Sequence, residues 1–382
     1  MYARLLPTPA RSVFLFGPRG TGKTTWIRDR FPNAAAYDLL DTGEALRLSK
    51  RPDTLNRELD ALPADSWVVI DEVQKVPELL NEVHRLIESR GLRFVLSGSS
   101  ARKLRRRGVN LLAGRATTTT LFPLVSAELG VGLDVEQALS HGTLPMAVAG
   151  ESPKDYLRSY AETYLVQEVQ AEALTRNLGA FARFLEIAAR QNAQVTNATS
   201  IARDAGIDRR TVQSHFGILI DTLIGYWLPP WKLRSATKQV QQSKFYFFDS
   251  GVVRALSGRL PYPPTPEERG PLLETIVLNE IRAFLSYSGR HYVPHYWRSY
   301  DGAEVDVLCE TAAGFVAVEI KASSRWDTRF NRGLRRVREH LPAHATTCYG
   351  VYLGERAASW GDVRVLPAPD FLKCLWDGEV LP

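Results

Sequence analysis

The stretch from Gly17 to Thr24, Gly-Pro-Arg-Gly-Thr-Gly-Lys-Thr, constrains the fold more than any other part of the chain. It satisfies the pattern G-x-x-x-x-G-K-[ST] at every fixed position, and it follows the apolar run 13–16 and precedes a helix-like segment. In such a loop, backbone N–H groups and the start of the next helix face phosphate oxygens. A glycine-rich turn with an incidental lysine is the alternative, but it does not explain the preceding strand or the acidic motif downstream. We therefore predict a P-loop.

The P-loop prediction assigns a role to each residue of this stretch. Lys23 is expected to reach the β- and γ-phosphates of ATP, and the Thr24 hydroxyl to bind Mg²⁺. The predicted nucleotide-binding residues are Gly17, Pro18, Arg19, Gly20, Thr21, Gly22, Lys23, Thr24 and Thr25.

A second motif, Asp71-Glu72, follows the apolar run Trp67-Val68-Val69-Ile70. Four apolar residues in a row are typical of a buried parallel strand, and open α/β sheets bind ligands at the carboxyl ends of their strands. Asp71 is then the Walker B residue that holds Mg²⁺, and Glu72 is the base that orients the attacking water. Taken alone, Asp-Glu after a strand is also a common helix cap.

Two further residues are candidates for contacts with the γ-phosphate. Ser97, and after it Ser99, follows the apolar segment 93–96, where a hydroxyl can contact the γ-phosphate or the water; a serine-rich loop without function is the alternative. The basic run 102–107 is either a solvated helix face or a phosphate contact. Arg115, beyond a glycine, is the candidate arginine finger, acting within the chain or from a neighbouring subunit.

Composition limits the class of protein. A chain of 382 residues suggests two or three domains, and 45% apolar with 24% charged residues is ordinary for globular proteins. The net charge of +6 favours acidic partners such as nucleic acid. Three cysteines without metal-ligand spacing predict a reduced, cytoplasmic protein. We expect no membrane association, since we find neither a signal-peptide core nor an apolar run of membrane-spanning length.

Four segments together resemble a known family. They are 67–74 (WVVIDEVQ), 96–100 (LSGSS), 112–115 (LAGR) and 121–128 (LFPLVSAE), and they resemble the prokaryotic AAA-type ATPases fused to a C-terminal domain of unknown function. The resemblance implies ATP hydrolysis, a winged-helix segment and then a restriction-endonuclease-like fold. Thr143 and Leu144 depart from the family's Gly-Gly-aromatic-Pro turn. Glu168 stands where the family usually has Asp.

The middle of the chain, residues 151–235, is predicted to be a helical adaptor. Residues 200–216 have the pattern of a helix, a glycine turn, an aspartate cap and a second helix, which is a helix-turn-helix. In DNA-binding versions the start of the second helix enters the groove, which places Arg209, Arg210 and Gln213 outward. The same unit also serves as a packing module between domains, and the sequence leaves both interpretations open.

The last segment, residues 236–382, contains a predicted hairpin with charged residues at alternate positions. Asp306 with Glu319-Ile320-Lys321 matches the PD-(D/E)xK pattern, in which the acids hold Mg²⁺ and the lysine stabilises developing charge. An upstream helical acid, Glu274 or Glu280, completes the pattern, and Glu280 is assigned as the third magnesium ligand. A salt-bridged edge strand, or a degenerate nuclease fold that binds DNA without cutting it, is the alternative.

Together these observations predict an α/β protein. It has a P-loop ATPase domain with a parallel sheet (1–150), a winged helix-turn-helix adaptor (151–235) and an α/β restriction-endonuclease-like domain (236–382). The predicted function is Mg²⁺-dependent ATP hydrolysis on or with DNA, coupled to a nuclease-like domain that binds or cleaves DNA. The alternative is an ATP-dependent switch or scaffold for a protein partner, with an inactive nuclease-like platform. The sequence leaves open whether the chain is a monomer, a dimer or a ring.

Overall fold

The structure, a computed structural model, describes residues 2–100, 112–130, 132–164, 177–232, 242–341 and 344–382. The basic run 102–107 and Glu168 lie outside the described residues. By their internal contacts the residues form two compact units. We call Arg4–Pro123 with Asp221–Leu223 the N-terminal unit; the C-terminal unit contains Leu124–Ile220 and Ile224–Pro382. Residues 124–150, which the sequence grouped with the ATPase domain, pack in the C-terminal unit, and the three-domain division stays a prediction.

A five-stranded parallel sheet forms the centre of the N-terminal unit, in the order β2-β3-β4-β1-β5. Its middle strands are mostly apolar and buried because helices cover both faces of such a sheet. The strands that carry Asp71 and Ser97 are neighbours in this sheet, with Val69 opposite Val95. The strands are β1 (Val13–Phe16), β2 (Ala35–Asp38), β3 (Trp67–Asp71), β4 (Arg93–Gly98) and β5 (Thr117–Thr120).

Among the described residues, the helices between these strands are α1 (Lys23–Arg30), α2 (Thr42–Lys50), α3 (Thr54–Glu58) and α4 (Leu79–Arg90). Short 3-10 turns lie at Val73–Lys75 and Leu112–Gly114. The apolar residues of α4 recur at helical spacing and pack on the sheet with Phe14, Ile70 and Phe94. Because all strands are parallel, the P-loop after β1 and the acids after β3 come to the same edge of the sheet.

The first part of the C-terminal unit is helical. Its helices are α5 (Val135–His141), α6 (Pro145–Ala149), α7 (Pro153–Ser159), α8 (Leu178–Arg190), α9 (Ala198–Ala205) and α10 (Arg209–Asp221), with a π-helical turn at Tyr160–Tyr164. Asn197 caps the start of α9, and Gly206 ends it in the left-handed conformation with φ 66°. Two helices joined by a glycine turn, α9 and α10, therefore lie where the sequence predicts the helix-turn-helix.

A two-stranded antiparallel sheet follows α10. Strands β6 (Gly225–Leu228) and β7 (Lys244–Phe247) pair with Leu228 opposite Lys244, and Val195, between α8 and α9, also bridges to Lys244. Helices α8, α9 and α10 thus share one core with this sheet, through Phe184, Phe216 and Phe245.

The rest of the C-terminal unit is built on a six-stranded mixed sheet in the order β12-β13-β11-β10-β9-β8. Strands β9 and β10 form the predicted hairpin, with Val318 opposite Val307. The strands are β8 (Pro294–Arg298), β9 (Glu304–Thr311), β10 (Gly314–Lys321), β11 (Thr346–Tyr352), β12 (Ala358–Trp360) and β13 (Val363–Pro367). The helices are α11 (Ser250–Leu256), α12 (Pro266–Tyr287), α13 (Arg332–His340) and α14 (Ala368–Trp376), with a 3-10 turn at Thr328–Asn331.

Helix α12 begins earlier than the sequence indicated. The proline-rich stretch 260–271 predicts a surface connector, whereas the helix starts at Pro266. Proline is favoured at the first helical position, where no N–H donor is needed, and Thr265 with Glu268 forms a capping box. Within the described residues, no helix is long and apolar enough to cross a membrane.

Candidate active site and a second charged cluster

The P-loop is held in shape by its own side chains. Lys23 Nζ donates to the carbonyls of Gly17 and Pro18, at 2.7 and 3.1 Å, and the buried Thr21 hydroxyl donates to Pro18 O at 3.0 Å. Gly22 precedes α1 with φ 92°, which side chains rarely tolerate. A Cβ at Gly17 would lie 2.6 Å from Leu121 O, so this position has no room for a side chain.

Arg4 supports the P-loop from outside the motif. Its guanidinium donates to Thr21 O and to Phe122 O, both at 2.6 Å, and so joins the loop to the segment after β5. The contact of Arg4 with the P-loop could not be predicted from the sequence, because its partners lie 17 and 118 residues away and no local pattern marks it.

Asp71 lies where the P-loop threonine and the neighbouring strand meet. The Thr24 hydroxyl donates to Asp71 Oδ2 at 2.9 Å, and the buried Ser97 hydroxyl donates to Asp71 Oδ1. The backbone N–H of Glu72 also donates to Oδ1, at 3.1 Å. Three residues predicted separately from the sequence, Thr24, Asp71 and Ser97, are thus in direct contact. A hydroxyl and a carboxylate side by side are oxygen ligands of the kind that Mg²⁺ takes together with nucleotide phosphates.

The Glu72 carboxylate is held by Gln74, to which the sequence analysis assigned no role. Gln74, 5% exposed, donates through Nε2 to Glu72 Oε2, and to Ser99 Oγ at 3.3 Å. Ser99 itself lies 3.4 Å from the same glutamate oxygen. Glu72 has φ 57°, a left-handed conformation that is uncommon without glycine and is enriched at functional sites. The sequence signals for Gln74 are its position two residues after the acid and its place at the end of the segment 67–74.

Arg115, the candidate arginine finger, pairs with the Glu88 carboxylate of α4. This contact holds the pKa of the Glu88 carboxyl below its ordinary value, first through the hydrogen bond from Arg115. An arginine finger acting on a phosphate would have to leave this surface pair, so its role stays a prediction.

A second group of charged residues lies in the C-terminal unit, where β7, β9, β10 and α12 meet. We call it the acid–lysine cluster: Glu274, Glu304, Asp306 and Glu319 with Lys244 and Lys321. Lys321 Nζ lies 2.5 Å from Glu319 Oε1 and 3.7 Å from Asp306 Oδ2. The residues of the predicted PD-(D/E)xK pattern are therefore brought together.

Glu280 does not belong to this cluster, contrary to its assignment as a magnesium ligand with Asp306 and Glu319. Its buried carboxylate accepts from the N–H and the hydroxyl of Ser126, at 2.6 and 3.1 Å, and from Trp376 Nε1 at 2.6 Å. The helical acid of the cluster is Glu274. The two glutamates are six residues apart, which turns their side chains by about 240° around the helix. Burial raises the pKa of the Glu280 carboxyl to about 7.

Among the described residues, no group of three or more histidine, cysteine, aspartate or glutamate side chains is arranged to hold a metal ion. The predicted magnesium site of the nuclease-like domain therefore does not fit the residues present. The Thr24–Asp71 pair, with a single carboxylate, is a different kind of site, because nucleotide phosphates supply further oxygens there.

The predicted DNA-contacting residues lie at the exposed start of α10. Arg209, Arg210 and Gln213 are exposed, whereas Val212 and Phe216 of the same helix are buried. The Asp208 carboxylate caps the helix by accepting from the backbone N–H of Arg210 at 2.8 Å and of Thr211 at 3.0 Å. The cap fixes the first turn while the two arginine side chains face outward.

Comparisons with known families divide the chain into three matched segments. Residues 9–130 match the family described as AAA domain, residues 132–262 match domain of unknown function DUF8612, and residues 269–371 match domain of unknown function DUF4143. The AAA-type domain and the C-terminal domain of unknown function that the sequence resemblance implied are both confirmed. No curated protein matches the chain.

Several solved structures show partial similarity. The ADP form of the Aeropyrum pernix ORC2 protein is 12% identical, covering 66% of this chain and 88% of its own, with a TM-score of 0.34. The A. pernix ORC1 protein in complex with DNA is 14% identical, covering 66% and 87%, with a TM-score of 0.30. Can2 from Sulfobacillus thermosulfidooxidans, in complex with cyclic tetra-adenylate, is 10% identical, covering 97% and 100%, with a TM-score of 0.24.

TM-scores this low carry no weight for function, which rests on the domain match and on the site residues. The P-loop follows β1 of a parallel sheet, Thr24 contacts Asp71, and Glu72 comes next in the chain. Residues 9–130 match an AAA domain over this same region. The protein is therefore an ATPase with an AAA-type domain.

Proposed function

We propose that the protein is a Mg²⁺-dependent ATP hydrolase that acts with DNA, and that ATP turnover is coupled to its C-terminal nuclease-like domain. The observation that carries the ATPase part is the 2.9 Å contact between the Thr24 hydroxyl and Asp71. It joins the P-loop to the acidic strand end and places Glu72 directly beside the same carboxylate.

The residues present fit a nucleotide-bound magnesium ion. Thr24 and Asp71 would hold it, and when bound it neutralises charge on the phosphate oxygens. The ammonium group of Lys23 donates to the carbonyls of Gly17 and Pro18. When ATP binds, it can exchange these carbonyls for phosphate oxygens. The N–H groups at the start of α1 favour the same anion.

Hydrolysis requires a base near the γ-phosphate, and Glu72 is that group. It takes a proton from the attacking water while the water oxygen bonds to the γ-phosphorus. The bond between that phosphorus and the β–γ bridging oxygen breaks, and ADP leaves with its electron pair. Gln74 and Ser99 hold its carboxylate in one orientation through Oε2. Ser97, bonded to Asp71, keeps that carboxylate in place beside Thr24. Arg115 would add positive charge at the phosphates after leaving Glu88.

The helix-turn-helix of α9 and α10 and the β6–β7 sheet support a winged-helix interpretation of the adaptor. In that class of domain, the second helix of the turn enters the major groove. Arg209, Arg210 and Gln213 are exposed at the start of this helix. Two arginines and a glutamine are suited to phosphate and base-edge contacts.

Steady-state ATP hydrolysis, measured with and without single-stranded, duplex and branched DNA, tests the proposal. We expect duplex or branched DNA to raise turnover, and rising salt to remove the stimulation because phosphate contacts release counterions. Turnover that no DNA changes at low salt would contradict the DNA part of the proposal and leave the ATPase intact.

Variants of α10 locate the DNA contact. Arg209→Ala with Arg210→Ala is expected to remove most of the stimulation while turnover without DNA stays the same. Arg190→Ala is the matched control, since Arg190 is also an exposed helical arginine but pairs with Glu186 at 2.6 Å. Equal loss in both proteins would place the contact elsewhere.

A second candidate is an ATP-dependent switch that controls a protein partner or the assembly of this chain. It is favoured by the lysine pairing of the acid–lysine cluster, which suits a platform better than a nuclease. This function predicts a change of mass between the ATP-bound and ADP-bound protein in the absence of DNA. Light scattering of the Glu72→Gln variant with each nucleotide measures it, and equal masses would exclude self-assembly.

A further inference from the structure

We infer that Lys244 is the resident cation of the acid–lysine cluster, and that this cluster binds no divalent cation and does not cleave DNA while Lys244 is present. The C-terminal domain would then contact nucleic acid or a partner without hydrolysing a phosphodiester. This inference does not depend on the coupling between ATP turnover and DNA.

The ammonium group of Lys244 lies among three carboxylates. It lies 2.5 Å from Glu304 Oε1, 3.5 Å from Glu274 Oε2 and 3.7 Å from Asp306 Oδ1. These three carboxylates come from β9 and α12, so the ammonium group bridges two elements of the fold. A metal ion shared by the same acids would have to occupy the space that this group fills.

Lys244 is buried in the core of the C-terminal unit. It is 4% exposed, its backbone pairs with Leu228 and Val195, and its ammonium group lies 5.5 Å from the centre of the Tyr296 ring. Its neighbour on the same strand face, Tyr246, donates to Glu274 Oε2 at 2.9 Å. A lysine whose backbone is paired on both sides, and whose ammonium group is buried among carboxylates, cannot move out to solvent as a surface lysine does.

The electrostatics of the cluster agree with a retained ammonium ion. Burial alone lowers the pKa of Lys244, but attraction to Glu274, Asp306 and Glu304 outweighs burial and raises it above its ordinary value. Burial, and then repulsion from Asp306, raises the pKa of the Glu274 carboxyl to about 7. Burial also raises the pKa of Glu319, against the opposing effect of Lys321.

Two further cations, Lys321 and Arg298, lie near the carboxylates of the cluster. Lys321 contacts Glu319 and Asp306, and Arg298 lies 3.9 Å from Glu304. One buried acceptor of the cluster, Glu319 Oε2, has no hydrogen-bond partner among the described residues. Glu319 is 6% exposed, and its other oxygen, Oε1, lies 2.5 Å from Lys321 Nζ, so this carboxylate is already paired with an ammonium group.

Mn²⁺ binding to the full chain without nucleotide, followed by isothermal titration calorimetry, tests the inference. We expect the wild type and Asp306→Asn to bind the same amount of Mn²⁺, because the cluster contributes no site. Lys244→Met, which keeps the length of the side chain and removes its charge, is expected to gain a site. The double variant Lys244→Met with Asp306→Asn is expected to lose that site again.

Lys373→Met is the matched control, because Lys373 is an exposed lysine that pairs with Asp377 at 2.6 Å. It is expected to bind Mn²⁺ as the wild type does. A wild type that binds more Mn²⁺ than Asp306→Asn overturns the inference, and so does a folded Lys244→Met variant that gains no site. If Lys244→Met does not fold, the comparison of the wild type with Asp306→Asn decides.

Nicking of supercoiled plasmid gives a second readout that does not involve Lys244 variants. The wild type with Mg²⁺ is expected to nick no faster than Asp306→Asn. Faster nicking by the wild type would show that the cluster cleaves and would overturn the inference, whether or not DNA stimulates ATP turnover.

Discussion

The P-loop site and the acid–lysine cluster contain the same residue types and arrange them in opposite ways. In the P-loop, Lys23 donates to the neutral carbonyls of Gly17 and Pro18, while Asp71 receives hydroxyl groups from Thr24 and Ser97. In the cluster, Lys244 and Lys321 contact carboxylates directly, at 2.5 Å in each case.

This difference decides which site is open to a ligand. An ammonium group bonded to carbonyls can exchange them for phosphate oxygens at little cost, because carbonyls carry no net charge. Removing an ammonium group from a buried carboxylate leaves that charge unpaired, at a cost of roughly 3–5 kcal/mol. The same side chains therefore serve chemistry in one region and stability in the other.

The largest expected effect comes from removing the P-loop lysine. Lys23→Ala is expected to lower kcat/KM for ATP by about 1000-fold, since a charged donor to the phosphates is lost in a site built around it. ATP hydrolysis and nucleotide binding measure this. Lys50→Ala, at an exposed lysine of α2, should behave as the wild type. Similar losses in both proteins would mean that Lys23 has no special role.

Glu72→Gln is expected to lower kcat by about 100-fold or more, because the amide cannot accept a proton from water. The KM for ATP should stay close to that of the wild type, since binding depends on the P-loop. Glu339→Gln, at an exposed glutamate, is the control for the loss of one charge. Unchanged turnover in Glu72→Gln would mean that another group is the base.

Glu280 differs from the acids of the acid–lysine cluster, because it is a buried acid whose donors, Ser126 and Trp376, are neutral. Burial raises the pKa of its carboxyl from 4.5 to about 7. The stability it contributes is full below the unfolded value and is lost as the pH rises through about 7. Relative to the wild type, Glu280→Gln should therefore gain about 3 kcal/mol in the free energy of unfolding between pH 4 and pH 8.

Urea unfolding of the wild type and Glu280→Gln across this pH range measures the difference. Glu379→Gln is a control at an exposed glutamate of the same unit. Parallel pH curves for the wild type and Glu280→Gln would show that the carboxyl has the same pKa in the folded and unfolded chain.

The smallest expected effect is that of Gln74. Gln74→Ala is expected to lower kcat by about 10-fold with an unchanged KM, since it frees the Glu72 carboxylate without touching the phosphates. Lys75→Ala, the exposed neighbour on the same turn, is the control. Gln74→Asn, which keeps the amide, should recover part of the activity. A change in KM with an unchanged kcat would assign Gln74 to binding.

Parts of both sites were predictable because they depend on contiguous residues. The P-loop pattern spans eight residues, and the backbone geometry it needs, such as φ 92° at Gly22, is set locally. The hairpin of β9 and β10 was also predictable, since alternation over a short turn fixes which acids share a face. The choice between Glu274 and Glu280 was open in the sequence, and helix α12 decides it by the direction in which each side chain leaves the helix.

Short patterns along the chain were enough to predict the P-loop, the Asp71-Glu72 pair and the PD-(D/E)xK pattern. The support of the P-loop by Arg4 and the place of Lys244 in the acid–lysine cluster became visible in the fold alone. The physical reason is that a charge is neutralised by whatever approaches it in space, and Lys244 lies 60 residues before Glu304 in the chain. Patterns along the sequence identify ligands for a cation, but the fold determines which cation they receive.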